Sequence, residues 1–207
     1  MTAPPVRPLV RPLVRPGARP RLFLDACVLY PTVMRSVLLG LAEAGFYAPR
    51  WSARVLEEWA RATRKLGPAG EAQARAEIAL LRRDWPGAEG PAGDETGLWL
   101  RDPADIHVLA AAIASHSDAI VTLNAQDFSR RILAEEGLRR IDPDALAMEC
   151  LAVDAGRAEA VARAVLAEAS RLSGDPWDMR ALMRKARLPR LGKALDAGPD
   201  HARAGRG

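Results

Sequence analysis

The chain has 207 residues, 49% of them hydrophobic, and a net charge of +4 from 30 Lys and Arg against 26 Asp and Glu. That length suits one domain of ordinary size with an appendage, able to bury roughly 70% of the surface its unfolded chain exposes. Cys27 and Cys150 stand alone without CxxC or Cys/His ligand spacing, no apolar run nears a membrane span, and residues 1–20 lack the apolar stretch of a secretory signal; these features disfavour a zinc site, a disulfide framework and a membrane protein, and make a reducing cytoplasm the expected setting.

The charge is unevenly placed. Residues 1–21 carry five arginines and no acid, residues 22–146 carry 14 basic and 18 acidic groups, and residues 147–207 carry 11 basic and 8 acidic. Basic ends suit a polyanion and an acidic centre suits a divalent cation. GC-rich coding drift toward arginine is the plainer alternative, since only Lys65, Lys185 and Lys193 are lysines.

Residues 6–16 read VRPL-VRPL-VRP. Each proline fixes φ and removes a donor, so residues 1–20 are expected to form a disordered Arg/Pro-rich tail. Order is expected to begin with the apolar run at 22–24, which ends in Asp25. A helix follows at 33–44, closed by Gly45, then a short extended piece at 46–49. Ser52 caps a helix over 52–66, and Gly67 with Pro68 closes it. Another helix covers 71–83, a loop 86–97, an Ala-rich helix 105–115 and a buried strand 119–122. Helices at 143–152, 154–172 and 177–187 complete the pattern. Strands alternating with helices predict an α/β fold with a parallel sheet.

Parallel sheets bind ligands beyond the C-terminal ends of their strands. Asp25 ends the first strand, and Asn124 and Asp127 follow a later one, so both groups belong to the same edge. At ~100° per residue, Glu58 falls about 60° from Val55, at the border of the apolar stripe of its helix, whereas Glu57 falls about 200° away and points to water. The same arithmetic puts Asp105 in line with Leu109 and Ala112 and turns His107 outward. Asp102 stands at the helix entrance, near the cleft or complementing the helix dipole. Each acid has a plainer alternative: a helix cap for Asp105, a turn for Asp25, an ordinary surface or loop position for Glu58 and Asp127. Together they suit Mg²⁺ or Mn²⁺, because a hard cation relieves the repulsion of converging carboxylates. No GxSxG, Cys–His, Walker A or GxGxxG pattern competes.

Four segments, LFLDACVLY (22–30), WSARVLEEWARA (51–62), RDPADIHVLAAAIA (101–114) and SDAIVTLNAQDF (117–128), resemble in their order and spacing the PIN-domain nucleases, most closely the VapC-type toxins of toxin–antitoxin modules. The resemblance implies a three-layer α/β/α sandwich over residues 21–145, and the helices over 146–195 resemble a C-terminal extension of longer VapC-like proteins; residues 196–207 are expected to form a disordered tail. It implies a Mg²⁺- or Mn²⁺-dependent endoribonuclease, with an RNA substrate, a cognate antitoxin and a homodimeric state. By motif, Asp25, Glu58 and Asp105 take the first three acidic positions, and Asn124 or Asp127 the fourth. The wording of the third segment brings in Asp102 as an additional member.

Arg180, Arg184, Lys185, Arg187, Arg190 and Lys193 form a run without an acid. Arg180, Arg184 and Arg187 are expected on one helix face, where they hold RNA phosphates, bind an acidic antitoxin or are simply solvated. A catalytically inactive PIN fold that binds RNA or a protein partner is the main alternative, because Asn124 brings no charge. A haloacid-dehalogenase-type phosphatase is disfavoured because Cys27 stands where that chemistry wants a second Asp. A receiver domain is disfavoured because no lysine lies between Lys65 and Lys185.

Overall fold

A computed structural model describes residues 11–197. Five parallel strands, β1 (Arg21–Leu24), β2 (Ala48–Ser52), β3 (Glu89–Gly90), β4 (Ala119–Val121) and β5 (Arg139–Ile141), form one sheet in the order β3-β2-β1-β4-β5. Among the described residues ten α-helices accompany it: α1 (Ala26–Leu29), α2 (Thr32–Glu43), α3 (Ala53–Ala62), α4 (Pro68–Asp84), α5 (Ile106–Ala114), α6 (Arg130–Glu135), α7 (Pro143–Val153), α8 (Ala155–Ser173), α9 (Met179–Lys185) and α10 (Pro189–Asp196). The fold is α/β, as expected, with added C-terminal helices.

The central strands are apolar because both faces are covered. Leu22, Phe23 and Leu24 of β1 and Ala119, Ile120 and Val121 of β4 are all fully buried. The chain runs β1→β2→β3 in one direction, then returns past β1 to β4 and β5. Right-handed crossovers therefore place the connecting helices of the two halves on opposite faces, and the crevice opens between β1 and β4. On one side α2 packs against α7 and α8, while α5 packs against β2 and β4. Ser52 caps α3, its Oγ accepting from Val55 N, as expected.

Several expectations need correction. The loop expected at 86–97 contains β3, which is only two residues long and too short to show alternation. Strand β5 was not anticipated, because Arg139-Arg140-Ile141 buries only Ile141 at the sheet edge. Helix α9 stops at Lys185, and Arg187 takes the left-handed φ of 60° in the turn before α10. The N–H of Leu188 donates to Met183 O and that of Arg187 to Arg184 O, a Schellman closure. Arg187 therefore leaves the helical face expected to join it to Arg180 and Arg184.

The expected disordered tail is corrected over residues 11–20. Leu13 and Val14 are buried against the core, and their N–H groups donate to Glu149 Oε2 on α7 at 2.7 and 3.0 Å. The periodic Leu and Val of the repeat thus supply a hydrophobic anchor, and one carboxylate satisfies two backbone donors that proline-rich sequence cannot pair in a ladder. Residues 1–10 and 198–207 lie outside the described residues. Helix α7 runs unbroken through residues 145 and 146, so the boundary expected there is not a break in structure.

Hydrogen bonds to a charged acceptor contribute about 1.5–3 kcal/mol each. Glu149→Ala is therefore expected to accelerate amide exchange at Leu13 and Val14 by on the order of 10-fold or more, read by hydrogen–deuterium exchange. Unchanged exchange at both amides would mean that packing alone holds the segment.

Candidate metal centre

Asp25 follows β1 directly and starts α1, with extended backbone angles and only 7% exposure. Its Oδ2 accepts from Thr122 Oγ1 at 2.7 Å and from Cys27 Sγ at 3.0 Å. Thr122 and Cys27 accept in turn from the backbone N–H groups of Asn124 and Leu123. One oxygen of Asp25 is thus held by the end of β4. Burial and the Asp25 charge push the Cys27 thiol up to about 12, so it stays protonated and able to donate.

Asp105 occupies the cap position of α5 but makes no side-chain cap hydrogen bond; Asp102 caps the preceding turn instead, accepting from Ala104 N at 2.9 Å. The plain-cap alternative for Asp105 therefore fails, and its carboxylate is turned elsewhere. Carboxylate oxygens of Asp102, Asp105 and Asp127 lie within 4.8 Å of one another. Asn124 donates from Nδ2 to Asp105 Oδ2 at 2.8 Å, so its amide nitrogen, not its oxygen, faces the cluster.

Burial, followed by the charges of Asp25, Asp102, Asp127 and Glu58, pushes Asp105 up to about 6. All four of the other acids singled out from sequence thus act electrostatically on this one carboxyl. The tightest trio includes Asp102, named from sequence only as an additional member, whereas Asp25 and Glu58 approach from further out.

Glu58 Oε1 lies 2.7 Å from His107 Nε2, without hydrogen-bond alignment, and 3.9 Å from Arg54 Nε. The outward placement expected for His107 is wrong: it is 3% exposed. The error is physical. Six consecutive residues of α5, 107–112, are buried, and a helix covered on all sides has no outward face. Residues before α5 supply part of that cover. Gly93, at φ +81°, approaches so closely that a Cβ there would stand 2.2 Å from Ala110 O. Glu57 is also more engaged than expected, pairing with Arg61 and Arg75, yet it is directed to α4 and not to the acidic cluster.

The match to a known family now has a structural basis. The model of the PIN domain family matches residues 21–126, half of the chain. The chain belongs to the PIN-domain family. No curated protein and no solved structure matches it significantly. The match begins at β1 and ends just after Asn124, so it includes Asp25, Glu58, Asp102 and Asp105 and stops short of Asp127. PIN domains have a nuclease-type fold and typically use a divalent metal. The donor set here fits such an ion: it is all oxygen, part-buried and internally repulsive. Among the described residues, no helix is long and apolar enough to cross a membrane.

The raised Asp105 pKa has a signed consequence. Its folded value, about 6, exceeds the ordinary 3.8, so the folded state binds the proton more tightly and stability falls as pH rises between those values. Asp105→Asn is expected to raise the melting temperature at neutral pH with metal chelated, and to confer little gain near pH 4. A lower melting temperature at both pH values would show that Asp105 is held by attraction and not strained by repulsion.

Proposed function

We propose that this PIN domain is a Mg²⁺- or Mn²⁺-dependent endoribonuclease, the toxin of a toxin–antitoxin module. The observation that carries the reading is the gathering of Asp102, Asp105 and Asp127 within 4.8 Å of one another, with Asp25 and Glu58 close enough for their charges to act on Asp105. Asp105 and Asp25 are the central ligands of the reading, with Asp102, Asp127 and Glu58 completing the negative pocket. These carboxylates would hold a divalent cation, and the chemistry it would supply is activation of water for attack on phosphorus and compensation of the charge that builds on the phosphodiester.

The chain's own residues set the conditions for that chemistry. Thr122 and Cys27 occupy one oxygen of Asp25 and leave the other free to coordinate. Asn124 fixes Asp105 by donating to one oxygen and adds no charge. Buried His107 stands 2.7 Å from Glu58 Oε1, on the inner side of a half-exposed side chain. These contacts limit the rotamers of the acids, which favours one bound geometry over a diffuse attraction.

The toxin role, the cognate antitoxin and the homodimer extend the resemblance of the four sequence segments. The exposed groove between α2 and α8, about 650 Å³ and lined by apolar side chains such as Val33, Leu39, Val161, Val165 and Leu172, has the chemistry that a protein partner covers. Arg180 and Arg184 are exposed on α9 and, with Arg187 beyond its end, remain the proposed contact for RNA phosphates or an acidic antitoxin.

Asp25→Asn is expected to lower Mn²⁺-dependent RNA cleavage about 100-fold or more, while Glu57→Gln leaves it nearly unchanged. Calorimetric Mn²⁺ titration is the companion measurement. Absence of both saturable binding and cleavage would favour the inactive module over the nuclease.

A further inference from the structure

The docked segment 11–19 builds a feature that the acidic centre does not explain. Its arginines, Arg11, Arg15 and Arg19, line a cleft of about 490 Å³ together with Arg139 at the start of β5. All three segment arginines are exposed, and none of the four has an ion-pair partner within 4 Å among the described residues. The one acid in the cleft, Asp118, is already engaged, accepting from Arg21 N at 2.7 Å. Nearby, Arg50 is held below its ordinary range by burial and by the charges of Arg21 and Arg19. Like charges are thus gathered at the N-terminal edge of the sheet, opposite the acids.

The cleft does not stand alone. A second cavity, about 390 Å³, shares Arg139 with it. This second cavity begins at Thr122, Leu123 and Ala125, in the loop that carries Asn124, and runs past Arg130 and Arg140. Together the two cavities line β5 from the loop after β4 to the segment arginines, and the second also holds Asp142 and Glu149. A compact anion fills one cleft; only an extended polyanion uses both. Arginine forks suit phosphodiester oxygens.

We propose that Arg11, Arg15, Arg19 and Arg139 form a distal phosphate-binding cleft that holds the backbone of single-stranded RNA running from the metal centre along β5. The identity of the strand as substrate rests on the nuclease reading; the binding of RNA in the cleft does not. Glu149 is the positioning residue of the cleft, because it fixes Leu13 and Val14 and so aims the arginines between them and β1.

The test is fluorescence anisotropy of a labelled single-stranded oligoribonucleotide with the full chain, metal chelated, across a potassium chloride series. The triple variant Arg11→Ala/Arg15→Ala/Arg19→Ala is expected to weaken binding on the order of 10-fold or more, and to reduce the slope of log affinity against log salt by about 2, from ~0.7 per lost phosphate contact. Glu149→Ala retains every arginine and removes a negative charge, so net charge alone predicts tighter binding; the cleft predicts weaker binding. Unchanged affinity and slope in the triple variant would overturn the proposal, as would tighter binding by Glu149→Ala. A triple variant that loses only its attachment to anionic phospholipid vesicles would overturn it in favour of a lipid surface. If the wild type binds RNA with the expected slope but cleaves none when Mn²⁺ is restored, the cleft stands and the nuclease reading falls.

Discussion

Everything at the acidic edge depends on the reversal of the sheet between β1 and β4. Helices cannot fill the gap where the chain turns from one direction of winding to the other, so the carboxylates that end or follow these strands share a crevice. A folded chain normally keeps like charges apart; here burial first, and then the neighbouring acids, push Asp105 up to about 6, a departure from that habit. The core tolerates the departure because the strands beneath are fully buried and cannot shift to relieve it.

Much of this arrangement was legible from residue type and spacing. Asp25 directly after buried β1, Ser52 at the cap of α3 and Asn124 just beyond β4 stand where the pattern puts them, because short apolar runs bounded by polar residues have few alternative structures. What escaped was set by tertiary cover. His107 lies where a wheel predicts solvent, but α5 is enclosed and has no solvent side. Asp102, which sequence leaves between the cleft and the helix dipole, is in the tightest trio of acids. Strand β5 hides in two arginines whose long stems run along an edge. Leu13 and Val14 sit in a proline repeat whose composition argues for disorder, and only Glu149, more than a hundred residues away, makes their docking intelligible.

The same long-range logic explains the charge segregation. Carboxylates crowd one end of the parallel strands and guanidinium groups the other, with the docked segment supplying much of the positive end. A chain folded this way presents a polarised surface to any polyanion, and β5 lines both of the cavities on its basic side.

The first turn of α7 holds two carboxylates with different obligations. Asp142 accepts from the N–H groups of its own helix, at Asp144 and Ala145, while Asp144 reaches forward to those of Arg190 and Leu191 at the head of α10. Asp144 is 4% exposed, so detaching α10 would strand a buried anion without its two donors. Helix α10 is consequently latched to the body of the molecule: detaching it strains the very turn that follows β5, and segment 11–19 and α10, each tied to α7 through one carboxylate, are mechanically yoked through one helix.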